Sequence, residues 1–219
     1  MRMESCGSRH LDAGPSLQLL DGGRKGSMTD SLQVEHGLAQ DVDLHFERMV
    51  REYQDRLYAF ARRMTNQRED AEEIVQDAFV RAYRALKTYD AARIRSMALR
   101  AWLYQITLNV ARNRARGKKP STESLNGEAS ERHADPADGP HAQLEASRRR
   151  ADLATLVAGL PSRYRAPLIL RYVEGLKLEE VAQILKQPLG TTKSNVHRAI
   201  NALREAITQS RREMRWNHA

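Results

Sequence analysis

A chain of 219 residues with a net charge of +8 has room for one ordinary domain or two small ones, and its basic balance favours a polyanionic partner. Aromatic residues make up only 5%, no apolar run approaches a membrane span, and the N-terminus lacks a signal peptide's apolar stretch. A soluble cytoplasmic protein with no direct membrane association is expected. The single cysteine, Cys6, excludes an internal disulfide and a Cys-rich zinc site, and the seven histidines are scattered, so neither metal nor cofactor is expected.

Residues 1–40 contain many Gly, Ser and Asp with little periodicity and read as a disordered extension. A first helix is predicted over Leu44–Met64. Asn66 then precedes Glu69 by three positions, the spacing of a capping box opening the next helix, which runs to Leu86. On that helix Ala71, Ile74, Val75, Ala78 and Ala82 gather on one side as core. Glu69, Asp70, Glu73 and Asp77 gather on the other, with Gln76 and Val80 beside them. Such a face is either solvated or a protein contact, and Val80 amid the acids hints at the second.

A loop with Tyr89, Arg93 and Arg95 follows, and then a helix over Leu99–Arg116. Residues 91–119 hold eight Lys/Arg and no acid, with Trp102 and Tyr104 interleaved. Cations that hold phosphates beside rings that stack on unpaired bases suit single-stranded DNA. Trp102 has a second reading as a core residue, because Leu103, Ile106 and Val110 share its helix. Asn109, Arg112, Asn113 and Arg116 form one polar stripe at i, i+3, i+4 and i+7.

Residues 117–141 are rich in Gly, Pro, Ser and acids and read as a linker, too long for a structureless loop inside a compact domain. Helices return from Leu144. Gly159 and Pro161 break the first of them, Pro167 obscures the start of the next, and Gly175 closes it. No segment alternates with strand period. The expected fold is all-α, with two small helical domains (41–117 and 147–215) joined by a flexible acidic linker (118–146).

The charge is distributed unevenly. Residues 148–215 hold 14 Lys/Arg against 6 Asp/Glu, whereas residues 117–147 hold 3 against 6. The last helix, "GTTKSNVHRAINALREAI", carries part of that excess on one face. With Val196 at zero and about 100° per residue, Ile200, Leu203 and Ile207 fall beside it as a buried stripe. Ser194, Arg198 and Asn201 fall opposite, with Lys193 and His197 on a flank and no acid before Glu205. The preceding helix shows Leu178, Val181, Ala182 and Leu185 at i, i+3, i+4 and i+7. Two short helices joined by "KQPLG" form a helix-turn-helix, the second expected in the DNA major groove. Arg198 and Lys193 can donate to guanine, Asn201 or Asn195 can pair with adenine, and Thr191 is expected as N-cap of a phosphate-binding helix end.

The segment Leu160–Glu205 resembles region 4 of sigma-70 family factors, and Tyr53–Leu86 resembles region 2. With only a linker between them, the chain is similar to the extracytoplasmic-function (ECF) group. The resemblance implies that core RNA polymerase and promoter DNA are the partners. Asp70, Glu73, Gln76 and Asp77 would meet the clamp helices of the β′ subunit, and the β flap is a further implied polymerase contact. Trp102, Asn109, Arg112, Asn113 and Arg116 would take the −10 element. Thr191, Lys193, Ser194, Asn195, His197, Arg198 and Asn201 would take the −35 element. An anti-sigma factor, soluble or membrane-bound, is a further implied partner. The linker acids Glu123, Glu128, Glu131, Asp135 and Asp138 would either imitate nucleic-acid charge in polymerase channels or form a solvated tether. Where members often carry a Ser or Thr cap, this chain has Lys177, so the cap must come from elsewhere or be weaker. A helix-turn-helix regulator and a metal-dependent nuclease are the alternatives. The first lacks a receiver domain's strands, and the second lacks a further ligand-bearing element beside the acids.

Overall fold

The computed structural model describes residues 28–117 and 140–216, and within them every regular element is a helix. The first domain is built from α1 (Met28–Gln40), α2 (Val42–Thr65), α3 (Arg68–Leu86), the short α4 (Ala91–Ser96) and α5 (Leu99–Gly117). The second contains α6 (Pro140–Gly159), α7 (Ser162–Tyr172), α8 (Leu178–Leu185) and α9 (Leu189–Trp216). The expected linker shortens, because α6 begins at Pro140. Residues 118–139, with the linker acids, lie outside the described residues, as do residues 1–27.

In the first domain α2 and α3 run antiparallel, and α5 packs across both. Tyr53, Leu57 and Phe60 of α2, Ile74 and Leu86 of α3, and Leu99, Leu103, Tyr104 and Leu108 of α5 are fully buried. The Phe60 and Tyr104 rings meet edge to face, with centroids 5.3 Å apart, an arrangement worth about 0.5–1.5 kcal/mol beyond its burial.

The capping differs from what spacing suggests. Asn66 does not open α3. It closes α2 in the left-handed conformation, with φ 61, and returns its N–H to the Arg62 carbonyl at 2.8 Å. Asn tolerates that conformation better than most residues. Gln67 takes the N-cap position of α3 without a side-chain hydrogen bond. Lys177, whose ammonium has no acceptor, precedes α8. The missing cap is supplied in reverse by Glu180, whose carboxylate accepts the Lys177 N–H at 2.7 Å. Pro167 lies inside α7, which continues through it to Tyr172.

Residues 28–40 correct the expectation of a disordered extension. Val34 and Leu38 of α1 are buried against α2 and α4. Gly37 allows the close approach to α2, because a Cβ there would sit 2.6 Å from His45 Nδ1. The Glu35 carboxylate accepts the backbone N–H of Leu99, the first residue of α5. Ala98, which precedes that helix, has no side-chain acceptor, so α1 caps α5 from across the domain.

The two domains also share one continuous apolar cluster, in which α7 meets α2 and α8 meets α5. Around the contact, Arg165 Nη1 donates to the Met64 carbonyl at 3.0 Å. The Arg100 guanidinium donates to the Glu174 carbonyl, and the Tyr104 hydroxyl donates to the Glu174 carboxylate. Burial pushes that carboxyl above its ordinary range, against the pull of Tyr104, Arg63, Arg100 and Arg56. A carboxyl whose pKa is raised on docking holds its proton more tightly there than when exposed. Docking is therefore strongest below the ordinary value of 4.5 and weakens as pH rises through the docked value. Dyes placed on α3 and α9 are expected to lie closer at acidic than at neutral pH, and Glu174→Gln should abolish the dependence. A pH-independent distance in the unmodified chain would show that Glu174 does not govern the contact.

Candidate nucleic-acid and polymerase interfaces

The apolar stripe of α9 forms as expected at Val196, Ile200 and Leu203, which are buried together with Ala199, while Ile207 is half-buried. That seating turns Lys193, Ser194, His197 and Arg198 outward, where together they line a shallow open concavity. Asn201 is half-buried at its edge, its Nδ2 3.0 Å from His197 Nε2. Two expectations are corrected. Thr191 is exposed but lies within α9, which begins at Leu189, so it is not the N-cap. Asn195 is 8% exposed, with Nδ2 3.5 Å from Gln187 Oε1. It faces the turn between the two helices and not the outer surface. The turn itself is closed by Lys186, left-handed at φ 53.

On α5 the stripe is presented outward, with Asn109, Asn113 and Arg116 exposed and Arg112 half-buried. Burial lowers the Arg112 pKa, and the neighbouring Arg116 charge adds to the effect. The aromatic residues divide. Tyr104 is fully buried and belongs to the core and the domain contact, so it offers no stacking surface. Trp102 is half-buried, packed on the core by one part and lining a groove with Arg81, Ala85, Tyr89, Ile106 and Asn109 by another. Tyr89 lies with its ring centroid 6.0 Å from that of Trp102, and the Arg93 guanidinium stands 3.7 Å over the Tyr89 ring. Periodicity along one helix could not find this groove, because α3, the following loop and α5 each contribute to it. Its only sequence signal was the cluster of basic and aromatic residues between 81 and 109.

The acidic face of α3 is only partly outward. Glu73, Gln76 and Asp77 are exposed, with Val80 48% exposed among them. Asp70 departs from the expectation. It is 7% exposed, and its Oδ1 accepts from Arg114 Nε of α5 at 2.9 Å. Arg114 also pairs with Glu73. Leu44 and Tyr83 are further exposed apolar groups, and the Tyr83 hydroxyl donates to Asp43 at 2.6 Å.

Similarity to known proteins agrees with this geometry. The profile of Sigma-70 region 2 matches residues 49–120, and that of Sigma-70, region 4 matches residues 150–203. The ECF RNA polymerase sigma factor SigW of Bacillus subtilis is 32% identical over 169 residues, covering 74% of this chain and 88% of that protein. The chain belongs to the ECF sigma factors. The RNA polymerase sigma-H factor of Pseudomonas aeruginosa is 31% identical over 179 residues, covering 77% of this sigma factor and 89% of that protein. Among solved structures, the sigma factor RpoE in complex with the anti-sigma factor NepR, from Bartonella quintana, aligns with a TM-score of 0.55 at 25% identity. That alignment covers 74% of this chain and 96% of that one. CnrH, in complex with the cytosolic domain of CnrY, aligns with a TM-score of 0.58 at 22% identity, covering 82% and 98%, and shares the fold. This sigma factor is thus an alternative transcription initiation factor that acts with RNA polymerase, not an enzyme. No helix among the described residues is long and apolar enough to cross a membrane.

Proposed function

We propose that three faces of this sigma factor divide the work of promoter recognition. Glu73, Gln76 and Asp77, with Val80, dock on the polymerase clamp. Lys193, Ser194, His197 and Arg198, flanked by Thr191 and Asn201, read the −35 element in the major groove. Asn109, Arg112, Asn113 and Arg116 hold the −10 strand, and the groove beside Trp102 accepts an unpaired base. The observation that carries this reading is the exposed, acid-free concavity on α9, in a helix-turn-helix that turns Val196, Ile200 and Leu203 into the core. The likeness to a sigma factor bound to NepR supports an anti-sigma protein as a further partner.

The −10 part is tested on the full chain assembled with core polymerase. Labelled −10 non-template strand, a scrambled strand and the −10 duplex are titrated at two salt concentrations. Phosphate contacts alone give a salt-dependent affinity indifferent to sequence. Base capture adds a sequence-dependent part, favouring the single strand because a duplex must first unstack, at a cost of a few kcal/mol. Asn109→Ala and Asn113→Ala are expected to remove mainly the sequence-dependent part, and Arg112→Ala mainly the salt-dependent part. Equal affinity for −10 and scrambled strands would rule out base capture here.

A further inference from the structure

One guanidinium joins the two helices that carry separate binding faces. Arg114 leaves α5 on the side away from the Asn109–Asn113 stripe and reaches α3, where Nε binds Asp70 Oδ1 at 2.9 Å and Nη2 binds the Glu73 carboxylate. The two partners differ in accessibility: the Asp70 side chain is 10% exposed and that of Glu73 57%. An exposed partner exchanges for water, or for a cation from another protein, at little cost, whereas a buried one does not. Arg114 is therefore anchored on Asp70 through Nε and lends an Nη2 N–H to Glu73. Lysine could not replace it, because an ammonium lacks the planar fork that spans two carboxylates.

Resting on the reading of α3 as the docking face and α5 as the −10 helix, we propose that Arg114 is a positioning residue that sets α5 against α3. Asp70 is its buried anchor and makes no contact with polymerase. The Arg114–Asp70 pair fixes the angle at which the Asn109 and Asn113 amides meet the strand.

The test uses the full chain. Core-polymerase affinity is measured first, and then −10 strand affinity of the assembled complex at several salt concentrations. Arg114→Ala and Asp70→Asn are each expected to weaken strand binding about tenfold, the size of losing one charge-assisted hydrogen bond. The double variant should be no weaker than either single one. Arg114→Lys should behave as Arg114→Ala. The slope of log affinity against log salt should stay unchanged, since Arg114 touches no phosphate. Asp70→Asn should keep its core-polymerase affinity, whereas Glu73→Gln should lose part of it and keep strand binding once assembled. Asp70→Asn preserves side-chain shape, so with Arg114→Lys it carries the comparison if Arg114→Ala fails to fold.

Three results would overturn the proposal. They are additive losses at positions 70 and 114, a salt slope reduced by about one in Arg114→Ala, or a core-affinity loss in Asp70→Asn equal to that of Glu73→Gln. Unchanged core affinity in Glu73→Gln would instead remove the docking face itself, and the proposal with it.

Discussion

Reversing Glu73 and Asp77 together, to lysine, is expected to abolish capture of core RNA polymerase while leaving helical content unchanged. Both side chains are exposed on α3, one turn apart, and the core of that helix lies on the opposite side in Ala71, Ile74, Ala78 and Ala82. Nothing in the apolar packing depends on either acid. Removing one member of an interfacial charge pair costs about 2–5 kcal/mol, and reversal adds repulsion. Two such changes amount to a loss on the order of a thousandfold or more. Glu73 also pairs with Arg114, so its reversal places a cation beside a cation. Asp77→Lys alone avoids that contact and should by itself lower affinity markedly. The measurement is co-purification with core polymerase alongside a circular dichroism spectrum. Undiminished capture by the doubly reversed protein would show that the face is only solvated.

Arg198→Ala is expected to weaken binding to −35 duplex by about 1–3 kcal/mol, the worth of a good base contact. Arg198 stands opposite the Val196, Ile200 and Leu203 stripe, beside Lys193, Ser194 and His197 in the open concavity. The loss should depend on the base pair it meets, and one substituted −35 position should cost the wild type as much as the mutation does. A loss equal for every sequence would make Arg198 a phosphate contact. Asn195→Ala provides a contrast on the same helix. Being buried against the turn, it should change thermal stability more than base preference.

Much of the outer faces of α3 and α9 could be read from periodicity, because on those two helices the buried and exposed positions are set by residues of the same helix. Val196, Ile200 and Leu203 sit inside and Arg198 outside for that reason alone. What periodicity misses is decided by partners far along the chain. The angle of Asp70 places it with the acids, yet Arg114, 44 residues away, turns it inward. Tyr104 lies in a run of cations, but Phe60 and Glu174 claim its ring and hydroxyl. Asn66 had two valid local roles, closing one helix or opening the next, and only the path of the chain between α2 and α3 selects the first. The groove beside Trp102 is visible only once three separate elements meet.

The reach of α1 into the start of α5 bears on where this protein can be cut. The family profile begins at residue 49, so a fragment excised at that boundary would omit Val34, Leu38 and the Glu35 carboxylate. It would leave the Leu99 N–H uncapped and open apolar surface on α2 and α4 to water. The physical limit of the folding unit therefore lies upstream of the limit drawn by sequence similarity, within α1. A minimal fragment meant to report on α5 has to carry α1 along, or it will report on a frayed end.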